Sequence, residues 1–91
     1  MIPEVERRVR QFIEGNFLRS SERESLARDE SLIEAGLIDS IGVLELVSFI
    51  ETKFAVPVAD AEMVPENLDS IATIAAYVSW KQADSVQLKA A

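Results

Sequence analysis

The sequence predicts an all-α fold: a small antiparallel bundle of three long helices and one short helix, with a long loop between the first and second helices. Three observations lead to it. Apolar residues recur at three- and four-residue steps in three separate stretches, no segment sustains a two-residue alternation, and the turn dipeptides that announce hairpins are missing. The 91 residues suit one domain, folded over about 3–81, with a frayed tail expected over 82–91. A hydrophobic share of 48% against 27% charged residues is ordinary for a packed core and unlike the composition of disorder.

The first helix is expected over about 3–16. Val5, Val9, Phe12 and Ile13 fall on one face with Glu and Arg between them, Pro3 suits a first turn, and Gly15-Asn16 supplies a stop. From Leu18 to Ile38 the chain turns polar, with Leu26, Leu32, Ile33 and Leu37 as isolated apolar anchors. A loop that long in a compact domain holds a short helical turn or serves function, and Ser31 followed by Glu34 and Gly36 frames such a turn.

The second helix opens at Asp39-Ser40, where either side chain suits the cap. Val43, Leu46, Val47, Ile50 and Phe54 form its buried stripe, and Pro57 prevents its continuation. The segment Asp60 to Val64 is long enough for one helical turn before Pro65, which makes it the expected short helix. Asp69-Ser70 opens the last helix by the same capping logic. Ile71, Ile74, Ala75 and Val78 line its inner face, with Tyr77 or Trp80 at the rim.

Sixteen acids against nine basic residues give a net charge of −7. Most of the excess lies between residues 39 and 69, which carry seven acids and only Lys53. Such a surface repels nucleic-acid phosphates and anionic lipid, and steers encounter with basic protein patches, so neither nucleic acid nor membrane is an expected partner. The amino terminus is charged where a signal peptide is apolar, and no apolar run approaches the roughly 20 residues needed to span a bilayer. A cytoplasmic monomer is the expectation.

No Cys and no His are present. A serine nucleophile therefore lacks its usual base, and the chain has no thiol of its own. Neither a calcium loop nor a glycine-rich phosphate loop is matched, and carboxylates on solvated helix faces account for the acids. No catalytic or metal-binding residue is assigned, and a non-enzymatic protein is expected.

What remains is Leu37-Ile38-Asp39-Ser40-Ile41, a serine at the start of an amphipathic helix directly after a loop. Ile41, Leu44, Glu45 and Ser48 lie on a face rotated away from the buried stripe. Two readings follow from the residues: apolar groups rimmed by acids that receive a basic partner, or a plain helix cap with Ile41 folded onto the core.

The run Glu34-Ala35-Gly36-Leu37-Ile38-Asp39-Ser40-Ile41, followed by Glu45-Leu46-Val47, Glu51 and Phe54, resembles the acyl and peptidyl carrier protein family. The likeness extends from about residue 3 to 80, through Val64-Pro65-Glu66-Asn67-Leu68-Asp69-Ser70-Ile71 ahead of the last helix. It implies that a phosphopantetheinyl transferase moves 4′-phosphopantetheine from coenzyme A onto Ser40. Acyl or aminoacyl groups are then carried as thioesters between a loading ligase and downstream acyl-processing enzymes. The partner-recognition residues it implies are Asp39, Ile41, Leu44, Glu45, Ser48 and Glu51. The second Asp-Ser-Ile copy matches a structural segment of the family, so Ser70 is assigned to capping. Gly42 stands where the family's fatty-acid carriers usually have an acid, Thr52 and Lys53 interrupt an acidic run, and Phe49 is bulkier than usual. These departures thin the acidic face and favour a specialised route over housekeeping fatty-acid synthesis. The alternative from another class is an unmodified adaptor that binds a basic partner through Leu44 and its acidic rim.

Overall fold

A computed structural model describes residues 3–17 and 26–90, with side chains described to residue 83. Within these residues the chain forms α1 (Glu4–Phe17), α2 (Ser40–Phe54), a 3₁₀ turn (Asp60–Glu62), α3 (Pro65–Leu68) and α4 (Ile71–Ala90). Three long helices and one short helix make the all-α bundle that the apolar spacing predicts. One core draws Val9 and Ile13 from α1, Leu46 and Ile50 from α2, Leu68 from α3, and Ile71, Ile74, Tyr77 and Val78 from α4. Each of these large side chains contributes about 1.5–3 kcal/mol by leaving water.

The periodic stripes land where they are expected. In α2, Leu46 and Ile50 are buried while Val43, Val47 and Phe54 pack half-buried at their flanks. In α4, Tyr77 belongs to the core at 4% exposure and Trp80 is the rim residue at 57%.

Three details differ from the sequence reading. Gly15-Asn16 does not stop α1, which runs to Phe17, and the Asn16 side-chain amide donates to the Phe12 carbonyl at 2.8 Å. Asp60 to Val64 does not form the short helix. A 3₁₀ turn occupies Asp60–Glu62 and the four-residue α3 begins at Pro65, because a proline that cannot extend a helix is well suited to start one. Helix α4 runs to Ala90, and residues 82–90 contain neither glycine nor proline to end it. Ile33, expected as an anchor of the loop, is 46% exposed.

The described part of the long loop is fastened at both ends of the bundle. Leu26, Leu32 and Ile38 are buried in the core. Residues 32–36 form the expected turn: the Ser31 hydroxyl accepts from the Glu34 N–H at 3.1 Å, and Gly36 closes the turn at φ +72°, a left-handed backbone natural to glycine. Arg28 ties the loop down to two helices. Arg28 grips buried Glu6 of α1 with two hydrogen bonds of 2.8 and 3.0 Å, while its carbonyl accepts from Ala72 N–H of α4 at 2.8 Å. The guanidinium beside Glu6 holds that carboxyl below the usual carboxylate range, through hydrogen bonding first and opposite charge second.

Candidate functional site

The loop delivers the chain to α2 at Asp39. Its backbone is extended, and its Oδ1 accepts from Gly42 N–H at 2.8 Å while its carbonyl accepts from Val43 N–H at 2.9 Å. Asp39 is therefore the cap, and Ser40 is left over. The Ser40 side chain is exposed and makes no hydrogen bond to any described residue. The backbone N–H groups of Ser40 and Ile41 likewise have no acceptor among the described residues, so the positive end of a 15-residue helix lies beside this hydroxyl with donors to spare.

Downstream the exposed face is as expected. Ile41 and Leu44 are 66% and 60% exposed, and Glu45, Ser48 and Glu51 are exposed beside them. Glu51 also has a local task, accepting from Val58 N–H at 3.0 Å in the connector that follows α2. The Ile41 side chain does not fold back onto the core.

Gly42 departs from the expectation that its position belongs to the acidic face. It is buried, and a Cβ built there would meet Ile38 Cγ1 at 2.7 Å and Phe17 Cε1 at 3.1 Å. The absence of a side chain lets the first turn of α2 sit against the end of α1. This replacement of the usual acid is a packing matter, and the thinning of the acidic face rests on Thr52 and Lys53 alone.

The second Asp-Ser-Ile copy is built differently. Ser70 is 6% exposed, and its Oγ accepts from Thr73 N–H at 3.1 Å while the Thr73 hydroxyl accepts from Ser70 N–H at 3.1 Å. These reciprocal bonds cap α4 and use the hydroxyl fully. Asp69 does not cap α4; it reaches across to Ser31 and Ile33.

Sequence reasoning did not find the groove that flanks this face. It lies open between α1 and α2, has a volume of about 680 Å³, and is lined by Arg8, Gln11 and Phe12 on one side and Glu45, Ser48, Phe49, Thr52 and Lys53 on the other. Its apolar surface centres on Phe12 stacked on Phe49, with ring centroids 4.2 Å apart. Phe12 was read on the apolar face of the first helix and Phe49 as a bulky residue of the second, but their pairing across the two helices was not visible.

Among the described residues, no group of three or more acids is arranged to hold a metal ion, and no helix is long and apolar enough to cross a membrane. The exposed Ser40 oxygen at a helix start, with no hydrogen-bond partner among the described residues, fits the root of a phosphate-linked group. A family model described as the phosphopantetheine attachment site matches residues 8–78, a span that takes in both Asp-Ser-Ile copies. A search of curated proteins gave no match. With most of its length accounted for by that one match, the chain belongs to the phosphopantetheine attachment site family, whose domain receives 4′-phosphopantetheine.

Proposed function

We propose that Ser40 is the attachment point for 4′-phosphopantetheine and that the protein carries acyl or aminoacyl groups between enzymes of a specialised pathway. The observation that carries this reading is the division of labour at Asp39-Ser40: the aspartate caps the helix, and the serine hydroxyl is exposed with no bond to any described residue. Ser70, in the same tripeptide, is buried and bonded at both its oxygen and its N–H.

Attachment joins the Ser40 oxygen to the phosphorus of phosphopantetheine, displaces the nucleotide part of coenzyme A and releases the hydroxyl proton. The chain has no His to take that proton, and Oδ1 of the neighbouring Asp39 is engaged by Gly42 N–H. The base and the positioning of coenzyme A fall to the phosphopantetheinyl transferase. When bound, the group supplies a thiol to a protein with no Cys, and that thiol holds the acyl group as a thioester. The free N–H groups of Ser40 and Ile41 favour the phosphodiester charge.

Ile41 and Leu44 form the apolar part of the surface that partners grip, with Asp39, Glu45, Ser48 and Glu51 as its polar rim. Charges on such a rim act mainly on encounter rate, and the apolar pair fixes the docked position. The specialised role rests on Lys53, Thr52 and the bulky Phe49.

Incubation with coenzyme A and a broad-specificity phosphopantetheinyl transferase, followed by intact mass, tests the assignment. Wild type and Ser70→Ala gain the mass of one phosphopantetheine, and Ser40→Ala gains none. A gain that persists in Ser40→Ala overturns the choice of serine, and no gain in wild type favours the unmodified adaptor.

A further inference from the structure

We propose that the groove between α1 and α2 is a resting site for the protein's own cargo, and that it takes an acyl chain of medium length ending in a carboxylate. The proposal rests on the assignment of the arm to Ser40.

The groove begins at Glu45 and ends at Lys53, both on α2. At 1.5 Å per residue its near end lies about 8 Å along the helix from Ser40, and its far end about 20 Å. Pantetheine has roughly 13 chain atoms, comparable to four residues of extended backbone or about 15 Å, so the arm reaches the near end with slack. The volume of about 680 Å³ falls within the range of small-molecule sites, and the stacked rings of Phe12 and Phe49 give the groove an apolar face for a hydrocarbon chain.

Charge decides what the chain ends in. Glu45 stands at the mouth nearest Ser40 and disfavours an anion beside the thioester. Arg8 and Lys53 stand at the far end. Lys53 makes no ion pair with any described residue. Among the described residues Arg8 pairs only with Glu4, in exposed contacts of 3.1–3.3 Å that cost little to give up. Arg8 and Lys53 also line a smaller, polar recess beyond the groove with Gln82 and Glu4, and an anionic end reaching the two cations displaces the Glu4 carboxylate from Arg8. The site thus runs from an acid, across two rings, to two cations. A monothioester of a medium-length dicarboxylic acid has the matching order.

The test loads the protein from three coenzyme A thioesters: octanoyl, the eight-carbon dicarboxylic monothioester, and the methyl ester of the latter. Intact mass first confirms loading, independently of the groove. Amide and methyl NMR shifts relative to the unacylated holo protein then locate the cargo, and the rate of thioester cleavage by hydroxylamine reports its shielding. The dicarboxylic cargo is expected to shift Gln11, Phe12, Ser48, Phe49 and Thr52 and to be cleaved at least threefold more slowly than its methyl ester. Lys53→Glu, an exposed substitution that leaves the core untouched, is expected to abolish that difference. Equal shifts and rates for all three cargoes overturn the proposal, as do shifts confined to interior residues such as Leu46 and Ile74. Failure of all three to load overturns instead the assignment of the arm.

Discussion

The Ser31 hydroxyl donates to Asp69 Oδ2 at 2.6 Å, joining the turn ahead of α2 to the junction of α3 and α4 across 38 residues of sequence. The other carboxylate oxygen accepts from Ile33 N–H at 3.0 Å, and the Asp69 carbonyl accepts from Leu32 N–H at 2.7 Å. Asp69 therefore holds the loop that delivers Ser40, although it lies far from Ser40 in sequence.

Asp69→Ala removes two hydrogen bonds to a charged acceptor and is expected to destabilise the protein by about 2–3 kcal/mol. Asp39→Ala loses one helix cap and is expected to cost about 1 kcal/mol. Urea unfolding of both variants checks the order. Equal costs would mean that the bonds from Ser31 and Ile33 add nothing beyond an ordinary cap.

Gly42→Ala places a methyl group against Ile38 Cγ1 and Phe17 Cε1 at 2.7 and 3.1 Å. A loss of about 1–3 kcal/mol in urea unfolding is expected, because both neighbours are themselves packed. Gly42→Asp, which installs the acid usual among the fatty-acid carriers, is expected to be worse than alanine here, since it adds a charge to a buried position.

Ala55 ends α2 in the left-handed region at φ 56°, where a Cβ is strained. Ala55→Gly relieves that strain at some cost in unfolded-state entropy, and a net gain of about 0.5–1 kcal/mol is expected. Thermal unfolding monitored by circular dichroism reads it as a rise of several degrees.

Glu6 and Glu62 both titrate below their ordinary value of 4.5 in the folded protein. For Glu6 the cause is Arg28. For Glu62 it is first the Lys81 ammonium at 3.0 Å, then the Tyr77 hydroxyl at 2.8 Å. Since folding lowers both values, their contribution is complete above the unfolded pKa and is lost as pH falls through the folded one. Stability should be flat from pH 7 to about 5 and decline below 4.5. Denaturation midpoints of Glu6→Gln and Glu62→Gln across that window should each fall less steeply than wild type, and a slope unchanged in both would refute the linkage.

Much of this molecule was legible in local spacing. The apolar steps at Leu46 and Ile50, or at Ile71, Ile74 and Val78, mark a buried face because helical geometry alone brings them together. The turn at Ser31, Glu34 and Gly36 was also readable, since its bonds close within a few residues. Illegible were the features made by partners distant in sequence. Gly42 looks like a gap in an exposed face until Phe17 and Ile38 arrive beside it. Tyr77 and Trp80 stood as alternatives for the rim, and only the meeting of the Tyr77 hydroxyl with Glu62 tells them apart. Pro65 looked like an end, although a proline fits the beginning of a helix equally well. At the site itself, Asp39 and Ser40 were found together, but the sequence did not say which would cap the helix and which would be free.

That choice matters beyond the helix. Because Asp39 supplies the side-chain cap of α2, derivatising Ser40, as proposed, breaks no hydrogen bond among the described residues. A phosphodiester placed there adds a favourable charge at the helix start and takes nothing from the cap, so the proposed loading leaves the fold no weaker than before.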